Sequence, residues 1–306
     1  MSIATFAALE QKVRGLPPVG VAVAAAADAE VIDSLKAARA LGFIGRVFLT
    51  GDEAAIRRTI AEVGDEAHRY DIISAADEAN AARAAVAKVR EGAAGILVKG
   101  SLKTEAYLKA ILDREAGLRG SGVLSNISVF EMASYHKLLG VTDNAVIVQP
   151  TLEEKKVLIE NTRPVWRALE IERPKVAVLA AVETVSPKMP ATLEAAALVV
   201  MSQRGQIKGF VVDGPLGYDA AINRAAAEHK GLGGSPVAGD PDLILCPNLE
   251  TANSLGKSFK FHGQATWGGL VLGAAVPAVL NSRSDDRQNR LNSLCLARAM
   301  CPGPDR

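Results

Sequence analysis

The chain has 306 residues, of which 49% are hydrophobic and 23% are charged, so it can bury a sizeable core as one or two domains. Its 35 basic and 34 acidic residues leave a formal net charge of +1, which gives no basic field for a nucleic acid backbone. An aromatic content of 4% also disfavours stacking on single strands, so we expect no nucleic acid partner.

The three cysteines, Cys246, Cys295 and Cys301, are odd in number and contain no Cys-x-x-Cys pair. This pattern disfavours a disulfide framework or a zinc knuckle and favours a reducing compartment. The apolar stretch at 19–27 has no basic leader directly before it, so we interpret it as a strand rather than as a signal peptide. No apolar run has the length needed to span a bilayer, and we expect a cytoplasmic protein without a membrane partner.

Short apolar runs alternate with longer amphipathic segments in the first half of the chain, which is typical of βα units. Strand-length apolar runs predict strands at 19–26, 46–50, 71–74 and 95–98. Helical periodicity predicts helices at 29–41, 52–63, 77–91 and about 104–116. The alternation predicts a parallel sheet with helices on both faces.

The second half repeats this alternation without a low-complexity linker. The predicted strands are at 123–130, 145–148, 175–181, 207–212, 243–246 and 276–280. The predicted helices are at 152–169, 191–203, 218–229, 251–261 and about 285–299. The predicted fold class is therefore α/β, with mostly parallel sheets flanked by helices.

The apolar run at 270–280 ends abruptly in a polar segment at the start of the last predicted helix. We interpret the run as a buried strand that delivers Ser282, Arg283, Asp285 and Asp286 to that helix. The first helical turn carries partial positive charge, which suits the two aspartates but suits Arg283 only if an anion is bound there. Ser282 and Arg283 are thus either half of an anion site or a solvated arginine beside an ordinary helix cap.

Three other predicted strands, at 95–98, 207–212 and 243–246, also end in polar residues, at the edge where open α/β sheets bind ligands. Lys99, Gly100 and Ser101 follow the strand at 95–98, where a glycine allows close approach of a phosphate and a lysine supplies charge. The alternative is a solvated lysine at a strand end. The Asp213-Gly214-Pro215 segment follows the strand at 207–212 and is a turn signature with or without a ligand.

Metal and cofactor motifs are missing from the sequence. The 4 histidines have no metal-ligand spacing, and no Gly-x-Ser-x-Gly elbow is present. The glycine cluster at 231–234 follows a predicted helix rather than a strand, which argues against a dinucleotide loop. We expect no metal site and no permanently bound cofactor.

Several segments in this order and spacing resemble the phosphate acetyltransferase/phosphate butyryltransferase family. The resemblance spans nearly the whole chain and rests on the segments at 96–100, 212–216, 236–247 and 269–277, followed by Ser282-Arg283. The butyryl type is more similar, because its Ser-Arg-x-Asp pattern is present at 282–285.

The resemblance implies two α/β domains of the isocitrate/isopropylmalate dehydrogenase type with the active site in the cleft between them. We expect one domain at 1–120 plus 271–306 and the other at 121–270. The implied reaction is metal-free transfer of a short-chain acyl group between CoA and inorganic phosphate, with acyl-CoA and phosphate as substrates. Homodimers are implied as well.

The family's Ser-Arg motif implies that the Ser282 hydroxyl stabilises the oxyanion and that Arg283 binds phosphate. Acetyl-type members place an Asp base seven residues after the serine, where this chain has Asn289. Either Asp285 or Asp286 then serves as the base or the thiol is deprotonated in another way, and we take Asp285 as the catalytic candidate. The substrate-binding residues that we predict are Lys99, Gly100, Ser101, Lys109, Asp213, Gly214, Pro215 and Asn253.

Two alternatives remain open. One is a catalytically weak protein that binds CoA or an acyl phosphate, which Asn289 favours because an amide cannot accept the thiol proton. The other is a phosphate acyltransferase that acts on longer acyl carriers.

Overall fold

A computed structural model of the protein describes residues 2–120, 122–282 and 285–302. The chain divides into two compact units, each built of strands and helices. The N-terminal unit comprises Phe6–Leu124 and Gly268–Arg306, and the central unit comprises Met1–Thr5 and Ser125–Trp267.

The elements follow one another in the order α1 (Phe6–Arg14), β1 (Val19–Ala24), α2 (Ala29–Ala40), β2 (Ile44–Gly51), α3 (Glu53–Glu62), a 3-10 turn (Ala67–Arg69), β3 (Asp71–Ser74), α4 (Glu78–Arg90), β4 (Ile96–Lys99), α5 (Thr104–Leu112), β5 (Ser125–Glu131), β6 (Leu139–Thr142), α6 (Leu152–Asn161), α7 (Arg163–Ala168), β7 (Lys175–Leu179), α8 (Pro190–Gln203), β8 (Val211–Leu216), α9 (Tyr218–Ile222), α10 (Arg224–His229), β9 (Leu243–Leu245), α11 (Leu249–Phe261), β10 (Thr266–Leu272), β11 (Ala278–Val279) and α12 (Arg287–Met300). Strands joined by helices give the predicted α/β class, with mostly parallel sheets flanked by helices.

In the N-terminal unit the strands lie in the order β3-β2-β1-β4-β11-β10. All neighbours pair in parallel except β10 and β11, which pair antiparallel. The helices that follow β1, β2 and β3 begin in the same way, because Asp28, Asp52 and Asp77 each accept the backbone N–H of the residue three positions later. This repeated aspartate cap places three helix starts at the carboxyl edge of the sheet.

In the central unit the strands lie in the order β5-β6-β9-β7-β8. β5 and β6 pair antiparallel, and the other pairs are parallel. Phe130, Phe259 and Trp267 lie together in its core, with the rings of Phe130 and Phe259 edge to face at 5.2 Å. Such aromatic packing holds α11 against the sheet.

The apolar run at 270–280 is a hairpin and not the single strand that we predicted. β10 ends at Leu272, the chain turns at Gly273 with a φ of 86°, and β11 returns so that Leu270 lies opposite Val279. A glycine inside an apolar run counts as apolar in the pattern, but it is also the residue that most readily takes a positive φ and reverses the chain.

The predicted strand at 145–148 is wrong, and the strand is instead β6, which ends at Thr142. The cause is Asp143, whose carboxylate accepts backbone N–H groups from Ala145, Val146 and Ile147 at 2.9, 3.0 and 3.2 Å. Those donors are therefore not available to a β ladder.

Two predicted helices are each divided in two. The helix at 152–169 breaks at Thr162, whose hydroxyl donates to the carbonyl of Ile159 at 2.6 Å, and Pro164 then occupies the first turn of α7. The helix at 218–229 breaks at Asn223, whose side chain caps α10. Threonine and asparagine compete for backbone groups in this way, and proline is tolerated at a helix start.

Candidate active site

Two neighbouring parallel strands of the N-terminal unit end side by side and lead into predicted site residues. β4 and β11 are in register, with Val98 opposite Val279. Lys99 ends β4 and begins the segment 99–101, which we call the Lys99 loop, whereas Ser282 follows β11. The structure brings the Lys99 loop and Ser282 to one edge of the sheet, because carboxyl ends of parallel strands share an edge.

Tyr107 of α5 lies across this pair of strands. Its fully buried hydroxyl is 3.2 Å from the carbonyl oxygens of both Leu97 and Val279, and one O–H donates to one of them at a time. Burial raises the pKa of Tyr107 well above its usual range, so the hydroxyl stays a donor. The sequence did not single out Tyr107, because an aromatic residue in a helix is typical of an ordinary core position.

The Lys99 loop is held closely against the end of β1. Lys99 is buried, with 7% of its surface exposed, and its Nζ donates to the carbonyl of Gly100 at 3.2 Å. The N–H of Gly100 donates to Ala24 at 2.9 Å, and that of Ser101 donates to Ala25 at 2.7 Å. A Cβ on Gly100 would stand 2.2 Å from the Ala25 oxygen, so only glycine fits here.

Two described residues between β11 and α12, Ser282 and Asp285, are hydrogen-bonded to each other. We use the name Ser282 turn for this pair. Asp285 is 1% exposed, and its carboxylate accepts the N–H of Ser282 at 2.6 Å and the amide of Asn281 at 3.3 Å. In return its own N–H donates to the Ser282 carbonyl at 3.1 Å. Ser282 itself is exposed. The predicted role of Asp285 as a base stays a prediction.

Arg290 of α12 also holds the Ser282 turn, and the sequence did not reveal it. Its Nε donates to the carbonyl of Asp285 at 3.2 Å, and its Nη2 donates to the carbonyl of Ser282 at 3.3 Å. Arg283, the predicted phosphate ligand, lies with Ser284 outside the described residues. The only sequence signal was an arginine four residues before Leu294, since residues at i and i+4 share a helix face.

Asn289, which stands where acetyl-type relatives are expected to have their base, lies in the first turn of α12. It is 6% exposed, and its N–H donates to the side chain of Asp286 at 2.9 Å. Asp286 is the N-cap of α12, so one of the two alternative bases serves a structural purpose at the helix start.

Lys109 lies in a groove that is not lined by the Lys99 loop or by the Ser282 turn. It is exposed on α5 and lines an open cavity of about 330 Å³ together with Arg83, Lys103 and Asp113. Across 2–120, 122–282 and 285–302, no other predicted site residue lines this cavity. Its role in substrate binding stays a prediction.

In the central unit, Asp213, Gly214 and Pro215 lie within β8 and not in a turn after it, which corrects our interpretation. The Asp213 carboxylate accepts the N–H of Gly214 at 2.9 Å and also binds the hydroxyl of Ser235. Proline is tolerated because β8 is an edge strand, where a missing N–H breaks no inner ladder. A Cβ on Gly214 would stand 2.7 Å from the Val178 oxygen, which explains the glycine.

Asn253 of α11 secures a loop at the carboxyl end of β6. Its amide donates to the carbonyl of Asn144 at 3.0 Å, and the Asn144 amide donates to the hydroxyl of Ser128 at 2.9 Å. The structure thus gives Asn253 a structural contact, and its predicted contact with substrate stays a prediction.

Among the described residues, no group of three or more His, Cys, Asp or Glu side chains is placed to hold a metal ion.

Burial raises the pKa of Cys246 to about 12, of Cys295 to about 12 and of Cys301 to about 11, so these thiols are poor nucleophiles near neutrality. Within the described part of the chain, every helix is too short or too polar to cross a bilayer.

The amino-acid sequence matches a known protein family over most of its length. The family model is described as phosphate acetyl/butaryl transferase and matches residues 52–298. A phosphate butyryltransferase of Clostridium acetobutylicum is 39% identical over 295 residues, which cover 96% of this chain and 97% of that protein. A phosphate acetyltransferase of Thermotoga maritima is 40% identical over 276 residues, covering 90% of this chain and 93% of that protein.

A solved structure is similar in both sequence and fold. The crystal structure of a branched-chain phosphotransacylase from Enterococcus faecalis V583 superposes with a TM-score of 0.80 and is 30% identical. The match covers 92% of this chain and 99% of that protein.

Proposed function

Because the chain belongs to the phosphate acetyltransferase/phosphate butyryltransferase family, we propose that it transfers a short-chain acyl group between CoA and inorganic phosphate. The reaction converts acyl-CoA and phosphate into acyl phosphate and CoA. The substrates are CoA thioesters and phosphate, and the chemistry requires a held anion, a polarised carbonyl and a thiol or thiolate.

The observation that carries this proposal is the junction of β4 and β11. It places a buried lysine at the end of β4 and an exposed serine after the adjacent parallel strand β11, four residues before the N-cap of α12. A helix N-terminus and a lysine both favour an oxyanion, and a hydroxyl supplies a directional hydrogen bond. We assign phosphate to Lys99, with Arg283 as the further ligand that the sequence predicts, because the N–H groups of Gly100 and Ser101 already donate to the end of β1.

Ser282 is assigned the oxyanion. Phosphate oxygen attacks the thioester carbonyl carbon, the carbonyl oxygen gains negative charge, and the Ser282 hydroxyl donates a hydrogen bond to it. The tetrahedral intermediate then collapses, the C–S bond breaks, and CoA leaves as thiolate. Removal of one such donor typically costs about 2.7–4 kcal/mol of transition-state stabilisation.

The acyl group is proposed to be butyryl-sized. The Ser-Arg-x-Asp pattern at 282–285 is of the butyryl type, and relatives that are 39%, 40% and 30% identical carry butyryl, acetyl and branched-chain names, respectively. Because each methylene in an apolar pocket is worth roughly 10–200-fold in discrimination, substrates that differ by two methylenes should separate clearly.

The test is release of CoA thiol from acetyl-, butyryl-, isobutyryl- and octanoyl-CoA, each with and without phosphate. We expect phosphate-dependent release with the highest kcat/KM for butyryl-CoA, about tenfold or more above acetyl-CoA. A preference for octanoyl-CoA would favour the alternative of longer acyl carriers. Binding of CoA without phosphate-dependent release would favour the weak binding protein that Asn289 suggests.

A homodimer is proposed to form through α8. Leu193 and Val200, at 44% and 45% exposure, lie two helical turns apart on one face of this helix. Glu194 is the only charged residue from Pro190 to Gln203, and it pairs with Lys155. An apolar helix face without free charge suits a second copy of itself, because a two-fold contact places the same surface on both sides.

A further inference from the structure

Arg290 is a buried cation that the proposed chemistry does not use. Its side chain is 5% exposed, and its Nη2 lies 3.7 Å from the carboxylate of Asp28. Desolvating a guanidinium is costly, so a buried arginine needs both charge compensation and hydrogen-bond acceptors. Asp28 supplies the charge, and the backbone carbonyls of Ser282 and Asp285 supply the acceptors.

The two carbonyls belong to the two ends of the Ser282 turn. The planar guanidinium is a rigid fork, so donors on Nε and Nη2 fix the separation of their acceptors more tightly than a flexible ammonium would. Asp28 is itself fixed, because it caps α2 by accepting the N–H of Val31 at 3.2 Å. The start of α2 is thus connected through one ion pair to the residue assigned to the oxyanion.

We propose that Arg290 is a positioning residue, anchored by Asp28, which holds the Ser282 turn so that the Ser282 hydroxyl meets the developing oxyanion. This inference rests on the proposed function. Arg290 acts through Ser282 and does not touch the substrate. A misplacement of about 1 Å can lower a rate on the order of 10²-fold, so a loosened turn should reduce kcat.

The experiment compares Arg290→Met and Asp28→Asn with a matched pair on the same two helices. Asn caps a helix as well as Asp does, so Asp28→Asn removes the charge and keeps the cap. The controls are Arg287→Met and Asp33→Asn, because Arg287 and Asp33 also join α12 to α2, at 3.5 Å, but at 57% and 34% exposure. Thermal unfolding of each variant establishes that it is folded.

We expect Arg290→Met to lower kcat by about tenfold or more while the KM for acyl-CoA changes by less than about twofold, since only a transition-state contact is lost. Asp28→Asn should lower kcat by about threefold, and both controls should retain the wild-type kcat within about 1.5-fold. In a Ser282→Ala background, Arg290→Met should lower kcat no further. If Arg290→Met does not fold, the kcat of Asp28→Asn alone tests the positioning role.

Three outcomes are distinguishable. If Ser282→Ala leaves kcat unchanged, the oxyanion role in the proposed function is wrong. If Ser282→Ala lowers kcat but Arg290→Met and Asp28→Asn do not, only the positioning role is wrong. If Arg290→Met lowers kcat equally with and without the Ser282 hydroxyl, Arg290 does not act through Ser282, and the inference is likewise overturned.

Discussion

Gly100 shows how a single residue type determines whether the Lys99 loop can form. Its backbone lies so close to Ala25 that an added Cβ would stand 2.2 Å from the carbonyl oxygen. The loop can accept a side chain only by moving away from β1, and Lys99 would move with it. The identity of residue 100 is therefore a requirement of backbone packing, in addition to any contact with phosphate.

We predict that Gly100→Ala lowers the free energy of unfolding by about 1–3 kcal/mol, the usual range for an overpacked site. Denaturant unfolding measures this change, and the KM for phosphate should rise in the same variant. Gly234→Ala is the control, because a Cβ on Gly234 meets no atom within 4 Å and should change stability by less than about 0.5 kcal/mol. Equal stability of the two variants would contradict the close approach.

The cysteines give a second prediction at this scale. Because burial raises the pKa of all three thiols, to about 12, about 12 and about 11, they stay protonated at pH 8. Only a thiolate attacks the disulfide of Ellman's reagent, so the native protein should react far more slowly than free cysteine. In guanidinium chloride the 3 cysteines should all react. A native thiol that reacts at the rate of free cysteine would contradict the described burial.

At the scale of elements, the junction of β4 and β11 depends on α5. We predict that Tyr107→Phe lowers the free energy of unfolding by about 0.5–1.5 kcal/mol, the net value of a hydrogen bond. It should also lower kcat, because the hydroxyl lies against carbonyls of both strands that carry the site.

The matched control is Tyr135→Phe, in the central unit. The Tyr135 hydroxyl donates to the Pro241 carbonyl at 2.7 Å, so this variant also loses one hydrogen bond, which is partly buried. It should show a similar loss of stability in denaturant and an unchanged kcat. If the two variants had the same kcat, Tyr107 would have no part in aligning the strands.

The sequence predicted the elements whose signals are local. Helical periodicity and apolar runs of strand length identified the βα units of the N-terminal unit, and Lys99 and Ser282 were recognised as residues at strand ends. Asp143 and Thr162 were missed, because which carbonyls and N–H groups their side chains bind depends on the folded backbone.

Arg290 was missed for a related reason. Its partner Asp28 lies far away in the sequence, and the two carbonyls that it binds are backbone groups, which carry no residue-specific signal. The hairpin at 270–280 could not be separated from a single strand, because Gly273 fits both patterns until its φ is known. The resemblance to a family identified the reaction, but not the contacts that position the site residues.

At the scale of the whole molecule, the apolar face of α8 predicts association. We expect wild-type protein to be dimeric by light scattering and the Leu193→Lys, Val200→Lys double variant to be monomeric, because two buried ammonium groups on each side are incompatible with an apolar contact. Leu112→Lys is the control, since Leu112 is a comparably exposed leucine, at 36%, on α5. A dimer that persists in the double variant would place the contact elsewhere.

The central claim is that the ends of β4 and β11 hold phosphate and polarise a thioester. The most direct test is the initial rate of CoA release from butyryl-CoA as a function of phosphate concentration, for the wild type and for Lys99→Met and Ser282→Ala. We predict saturation by phosphate in the wild type, a KM for phosphate raised at least about tenfold in Lys99→Met, and a kcat lowered about 10²-fold or more in Ser282→Ala. A rate independent of phosphate, or both variants behaving as the wild type, would contradict the claim.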